Sequence, residues 1–297
     1  MDSNCVDKQN NLVDSIQSHH QHGNVVSNPW RDLRRFTDAR IGLGRAGISL
    51  PTSELLAFQL SHAQARDAVN LPLNIDALAI DLSNILLLDN VTYPMTVNSQ
   101  VDDRITYLQR PDLGRKLAES GRKTLLHHMN SQGQAADTQY DLAIVVVDGL
   151  SSLAVQNNAK PFINELLSQL HQQHSGWNIA PITIVEQGRV AIGDDIGQLL
   201  NAQVVMVLIG ERPGLSSPDS LGLYLTWAPK TGLNDACRNC ISNIRPAGLP
   251  YTEAAKRAVY LLTQAKKLKL TGVNLKDRTQ DDVIEHQQQT QNFLIAE

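Results

Sequence analysis

The chain of 297 residues is poor in cysteine, with Cys5, Cys237 and Cys240 as its three. That number and placement exclude a disulfide scaffold and point to a reducing compartment. No apolar run reaches the length needed to span a bilayer. The first residues, Met1 to His22, are polar, carry Asp2, Asp7 and Asp14, and lack the apolar centre of a secretory signal. Excess charge is missing as well. A formal net charge of −4 gives no general electrostatic reason to bind nucleic acid or an anionic membrane surface. There is no H-E-x-x-H, no G-x-S-x-G and no phosphate-binding loop, so the machinery of a self-sufficient hydrolase or kinase is absent. What is present, 42% hydrophobic residues over this length, is enough for a sizeable core.

Four stretches of different character follow one another. Residues 1–28 are rich in Asn, Gln, Ser and His and read as a polar arm, in which His19, His20 and His22 have no scaffold to fix them around a metal. Residues 29–138 read as a mainly helical subdomain. Pro51 and Thr52 mark a helix start, with Leu56, Leu60 and Ala63 on one face; a short apolar alternation runs from Asn74 to Leu88; helical spacing returns from Thr106 to His127. Residues 139–275 read as an α/β domain. Asp141 to Val147, Gln203 to Ile209 and Leu221 to Trp227 have the continuous apolar character of buried strands, and Ile179 to Val185 is a further strand. Helical patterns over Pro161 to His171, Asp195 to Leu200 and Glu253 to Leu268 alternate with them. The expected fold is therefore α/β: an open, mostly parallel, Rossmann-like sheet in the C-terminal half, preceded by a mainly helical N-terminal region. Residues 276–297 form a polar tail.

Several motifs invite chemistry that their context does not support. Gly42, Gly44 and Gly47 have the spacing of a dinucleotide fingerprint, and Asp67 falls where a ribose-binding acid belongs. Arg31 to Arg40, however, is charged where a buried strand is required, and Pro51 follows too soon. A basic turn that touches a partner through Arg40 and Arg45 is the better reading. Cys237 and Cys240 form a C-x-x-C pair without the second pair that a zinc site needs, and away from the first strand-to-helix turn where a redox dithiol belongs. His171 and His174 lie among glutamines at a helix end, as on a solvated face.

The turns that follow the expected strands remain. Asp148, Gly149, Leu150 and Ser151 follow one; Gly188, Arg189 and Val190 the next; Gly210, Glu211, Arg212, Pro213 and Gly214 a third. In a parallel sheet they gather along one edge, where glycines allow close backbone approach and a carboxylate accepts hydrogen bonds. They are either the lip of a binding crevice or ordinary turns with a charged cap.

The blocks FTDARIGLGRAGISLPT, QLSHAQARDAV, YLQRPDLGRKL, VVDGLSSLAVQNNA, EQGRVAIGDDIG, GERPGLSSPDSLGLYLTW and CRNCISNIRPAGLPYTEAA, in this order from Pro29 to Asn274, resemble the small subunit family of ethanolamine ammonia-lyase. The resemblance implies an enzyme of large and small subunits, in which adenosylcobalamin starts the radical conversion of ethanolamine to acetaldehyde and ammonia. It places the substrate site on the large subunit, with no catalytic residue and no metal ligand in this chain. It also implies cofactor contacts at Val190 in the G-R-V turn, Glu211 in G-E-R-P-G and Cys240 in C-I-S-N. None of the nine histidines lies in a D-x-H-x-x-G sequence, so the cofactor is expected to keep its own base on cobalt. By the same resemblance the chain works in a bacterial cytoplasm, within an ethanolamine-utilisation microcompartment, without nucleic-acid or membrane partners. Two other readings compete: a scaffold subunit that stabilises a partner without touching cofactor, and a nucleotide-dependent enzyme built on IGLGRAG.

Overall fold

A computed structural model describes residues 28–85, 93–131, 139–173 and 176–279. The chain divides into two compact units, Met1–Gln59 and Leu60–Glu297.

In the first unit a short 3-10 helix, Pro29–Arg35, is capped by Asn28, whose side chain accepts from the Trp30 amide. Gly42, Gly44 and Gly47 follow in a turn where all three adopt positive φ. No strand precedes them among the described residues, so the strand-turn-helix geometry of a dinucleotide site is missing. Arg34 reaches the buried Glu54 in two hydrogen bonds of 2.9 and 3.0 Å, which holds its carboxyl below the usual range. Arg40 lies over the Phe58 ring at 5.4 Å. Trp30, Phe36, Ile48, Leu50 and Leu56 are nevertheless exposed.

Helix α1, Thr52–Asn70, crosses from one unit to the other. The second unit continues with α2 (Ile75–Ser83), β1 (Met95–Asn98), α3 (Arg104–Gln109), α4 (Pro111–Gly114) and α5 (Glu119–Ser131). Then come β2 (Tyr140–Val147), α6 (Ser152–Gln173), β3 (Thr183–Glu186), α7 (Ile192–Leu199), β4 (Ala202–Gly210), β5 (Leu221–Trp227), β6 (Arg238–Ile244) and α8 (Tyr251–Leu268). The six strands form one mixed sheet in the order β1-β3-β2-β4-β5-β6. The pairs β1/β3, β3/β2 and β2/β4 are parallel, and β4/β5 and β5/β6 are antiparallel. The fold is thus mixed α/β with a mostly parallel sheet, and its central parallel strands β2 and β4 are nearly continuous apolar runs because both their faces are covered. On one side α2, α6 and α8 bring Leu82, Phe162, Leu166 and Leu262 onto Ile144, Val146, Met206 and Leu223. On the other, Leu125 of α5 and Ile192 and Ile196 of α7 meet Val145, Val185, Val205 and Val207.

Three local outcomes differ from the sequence pattern. The alternating stretch after Asn74 is helical over Ile75–Ser83, because the Asn74 side chain caps the Ala77 amide; residues 86–88, its end, lie outside the described residues. Helix α6 begins before Pro161 and contains it, since Ser151 Oγ accepts from the Ala154 amide and starts the helix nine residues upstream of that proline. The third concerns two strands without a counterpart in the sequence reading, β1 and β6. β1 has four residues and lies at the sheet edge, within the stretch read as mainly helical. The arm and tail calls of residues 1–27 and 280–297, and His174, also lie outside the described residues.

Candidate functional site

The carboxyl ends of β1, β3, β2 and β4 stop at one end of the sheet, and the turns that follow are tied together there. Asp148, at the end of β2, is the knot. Its Oδ1 accepts from the Gly149 and Gly188 amides at 2.7 and 3.2 Å, and its Oδ2 from the Gln187 amide at 3.0 Å. Burial pushes this carboxyl up to about 6, opposed by those amides and by Arg104, whose Nη1 is 3.6 Å away. Arg104 also donates to the carbonyls of Val69 and Gly149. Tyr107 is sandwiched between the guanidinium groups of Arg104 and Arg189, 4.6 and 4.0 Å from its ring centre, while its hydroxyl donates to the Gly188 carbonyl at 3.0 Å. The β4 turn joins through Gly210, whose carbonyl accepts from the Leu150 amide. Asp148, Gly149, Gly188, Gly210 and Glu211 therefore do meet along one rim.

Val190 packs at the margin of the core side that α5 and α7 cover, as does Tyr224. Glu211 leaves the end of β4 and folds over β5. A Cβ placed on Gly222 would lie 2.9 Å from its Oε1, so only glycine leaves room for the carboxylate at that point. The carboxylate accepts from the hydroxyls of Ser220 and Ser242 and, at 3.1 Å, from the Asn243 amide. It thereby stitches β4 to β5 and to a bulge in β6, where pairing shifts between Leu221 and Leu223 and Asn243 takes φ 61.

Cys240 is placed differently. From β6 it pairs with Tyr224 of β5, and Tyr224 pairs with Val207 of β4, three residues short of Gly210. That is about 10 Å down the sheet from the rim. Ile241 and Ile244 enter the core beneath α6 and α8, so the residues alternating with them, Cys240 and Ser242, face the opposite side, where both are exposed. Partial desolvation by the surrounding protein raises the Cys240 thiol above its ordinary range although the residue is exposed; the Tyr224 hydroxyl opposes this and Glu211 adds to it. The C-x-x-C pair is no dithiol: Cys237 ends a 3-10 turn and Cys240 sits three extended residues on, about 10 Å away, beyond disulfide reach.

Sequence reasoning missed Ser220, Gly222, Tyr224 and Ser242 of this face. The signal was available in β6, where Arg238, Cys240 and Ser242 alternate with Asn239 and Ile241, but its polar members hide the strand. No group of three or more metal-ligating side chains occurs among the described residues, and no described helix is long and apolar enough to cross a membrane.

The second unit thus defines a mixed α/β protein with an open, polar half-face on its outer strands next to a rim of strand-end turns. The comparisons make this specific. The family model described as Ethanolamine ammonia-lyase light chain (EutC) matches residues 27–276, and the chain belongs to that family, which makes it a subunit of a lyase. It is 52% identical over 271 residues to the ethanolamine ammonia-lyase small subunit of Pseudomonas fluorescens (strain Pf0-1), covering 90% of this chain and 95% of that protein. It is 54% identical over 256 residues to the small subunit of Azotobacter vinelandii, covering 86% and 91%. The small subunit of Pseudomonas syringae pv. tomato is 48% identical over 281 residues, covering 95% and 94%. A small subunit implies a larger one as partner.

Proposed function

We propose that the open half-face is one wall of an adenosylcobalamin site whose other wall belongs to the large subunit, and that the assembled enzyme converts ethanolamine to acetaldehyde and ammonia. The observation that carries this reading is the common placement of Val190, Glu211, Cys240 and Tyr224 on one side of the sheet, beside a rim of glycine turns. These residues fit a broad ligand with a polar edge. Val190 and the Tyr224 ring offer apolar surface, the Glu211 and Ser242 oxygens offer hydrogen-bond acceptors, and Gly222 keeps the floor low beneath the carboxylate. The wall is open to solvent at Cys240 and Ser242, as expected of half a site.

When bound, adenosylcobalamin supplies the radical that starts the reaction; this chain supplies position and electrostatics. No residue of this chain is assigned to bond breaking or to cobalt, and the cofactor would bring its own base. Electron paramagnetic resonance of the cob(II)alamin state with isotopically labelled histidine tests that assignment, and coupling to protein nitrogen would contradict it. The test of the site itself is Glu211→Ala in the complex. Cobalamin affinity should fall by more than the turnover of the saturated enzyme, and unchanged affinity would count against the site.

A specific observation favours docking as a second role of the same chain. The first unit leaves Trp30 66% and Phe36 79% exposed, too much aromatic surface for water alone. That unit and the helices that follow it, up to residue 138, are proposed to contact the large subunit, with Arg40 and Arg45 of the glycine turn at the contact. Cobalamin titration of the separate chain and of the complex distinguishes docking alone from docking with cofactor contact. Location in a bacterial microcompartment is proposed from the family resemblance; deleting the residues before Asn28 and following escape from the shell tests it.

A further inference from the structure

Glu211 is unusually well occupied for a residue offered to a ligand. Three protein donors already point at its two oxygens: the hydroxyls of Ser220 and Ser242 and the Asn243 amide. A carboxylate only accepts, so both serine hydroxyls must spend their single proton on it. Ser220 is buried and leads no further. Ser242 is exposed, and lies on the same outward face of β6 as Cys240. With its proton committed to Glu211 at 2.5 Å, the Ser242 oxygen presents only lone pairs outward.

We infer that Ser242 is a further cofactor-contacting residue, an obligate acceptor that selects an amide N–H on the edge of the ligand, and that Glu211 is the positioning residue that makes it so. The inference rests on the cobalamin reading of this face. It changes how that reading works, because the carboxylate acts largely through the serine rather than as the sole acceptor. The chemical consequence is selectivity. A primary amide on the ligand edge satisfies Ser242 with its N–H, whereas an ester of the same size offers an acceptor to an acceptor and leaves both unpaired.

The experiment uses the complete complex of large and small subunits. Affinity is measured by spectroscopic titration with cobalamin and with each derivative in which one peripheral amide is replaced by a methyl ester. These derivatives are neutral, so the charge of Glu211 does not confound the comparison. In the unaltered complex one ester isomer should bind about fivefold or more weakly than cobalamin, the loss expected of one hydrogen bond with a buried partner left unmet. In Ser242→Ala that isomer and cobalamin should bind alike, while the other isomers keep their unaltered ranking. Loss of discrimination is a readout that mere loosening of β6 would not produce. Val190→Arg serves as the control for the parent reading, since it obstructs the same face without touching Ser242. If Val190→Arg weakens cobalamin binding and Ser242→Ala retains the discrimination, the serine assignment is overturned and the cofactor reading stands. If Val190→Arg also leaves affinity unchanged, the cofactor reading falls and takes this inference with it.

Discussion

Arg238 and Asp194 face one another in two parallel hydrogen bonds of 2.7 and 2.8 Å, with both side chains only 2% exposed. The pair joins β6 to the start of α7 beneath the open half-face, and Thr226 and the Leu233 carbonyl take further donors of the same guanidinium. Two buried charges are tolerable only while each satisfies the other. Arg238→Ala should therefore cost about 3–5 kcal/mol in equilibrium unfolding, because it strands Asp194, and Asp194→Ala should cost less, because Asp235 remains 3.3 Å from the Arg238 Nε. Replacing both by Met and Leu should recover most of that loss. A single variant as stable as the unaltered protein would mean that water reaches the pair.

Gly210 and Gly222 should respond differently to the same added methyl. A Cβ on Gly210 would overlap the Ser151 and Asp148 carbonyl oxygens, which are backbone and cannot step aside. Gly210→Ala should lower stability by about 1–3 kcal/mol or more and disturb the rim as a whole. A Cβ on Gly222 meets the Glu211 side chain, from Cγ to Oε1, and no backbone atom among its nearest neighbours. Gly222→Ala should fold with nearly unchanged thermal stability yet weaken cobalamin binding, because the carboxylate must leave its serines. Thermal unfolding and titration of the two variants side by side separate these outcomes.

The strands β2 and β4 were legible in the sequence because burial on both faces leaves a nearly uninterrupted apolar run, β5 because most of its residues are apolar and buried, and the turn after β2 or β4 then marks the rim. β6 was not, since one of its faces carries polar residues, the buried Arg238 and the exposed Cys240 and Ser242. A half-exposed edge strand has only an alternation to declare it, and here the bulge at Asn243 breaks the alternation after five residues. Ser242 and Tyr224 belonged to the same blind spot. Their relevance depends on cross-strand register, in that Tyr224 opposes Cys240 and Glu211 crosses Gly222, and no local pattern encodes which residues of distant strands will be neighbours. Helix α6 shows the converse, where a local signal misled: Pro161 looks like a first-turn proline, but the Ser151 cap starts the helix earlier.

Asp148 gives the rim a pH dependence whose sign is unusual for a carboxylate that receives three amide bonds. Burial raises it from 3.8 to about 6, so folding favours the protonated form. The contribution to stability is full below about pH 4 and is lost as pH rises through about 6. A gap of about two pH units corresponds to on the order of 3 kcal/mol. Asp148→Asn keeps an acceptor oxygen for the amides but cannot ionise. Urea unfolding between pH 4 and 7 should show the variant gaining on the unaltered protein across this range, and parallel curves would show that the carboxylate is stabilised by its donors as much as burial disfavours it.

Cys240 reports on the half-face without any cofactor. Its thiol is pushed up by partial desolvation and by Glu211, and pulled down by the Tyr224 hydroxyl. Since the thiolate is the nucleophile, alkylation of Cys240 near neutral pH should be slower than that of a free thiol although the residue is exposed. Tyr224→Phe removes the group that favours the thiolate, so the rate should fall further even as the hydroxyl ceases to obstruct the sulfur. Glu211→Gln removes a nearby negative charge, so the rate should rise. Peptide mapping by mass spectrometry follows Cys240 separately from Cys237. A faster reaction in Tyr224→Phe would mean that the tyrosine only shields the sulfur, and that the contact between these strands is steric instead of a hydrogen bond.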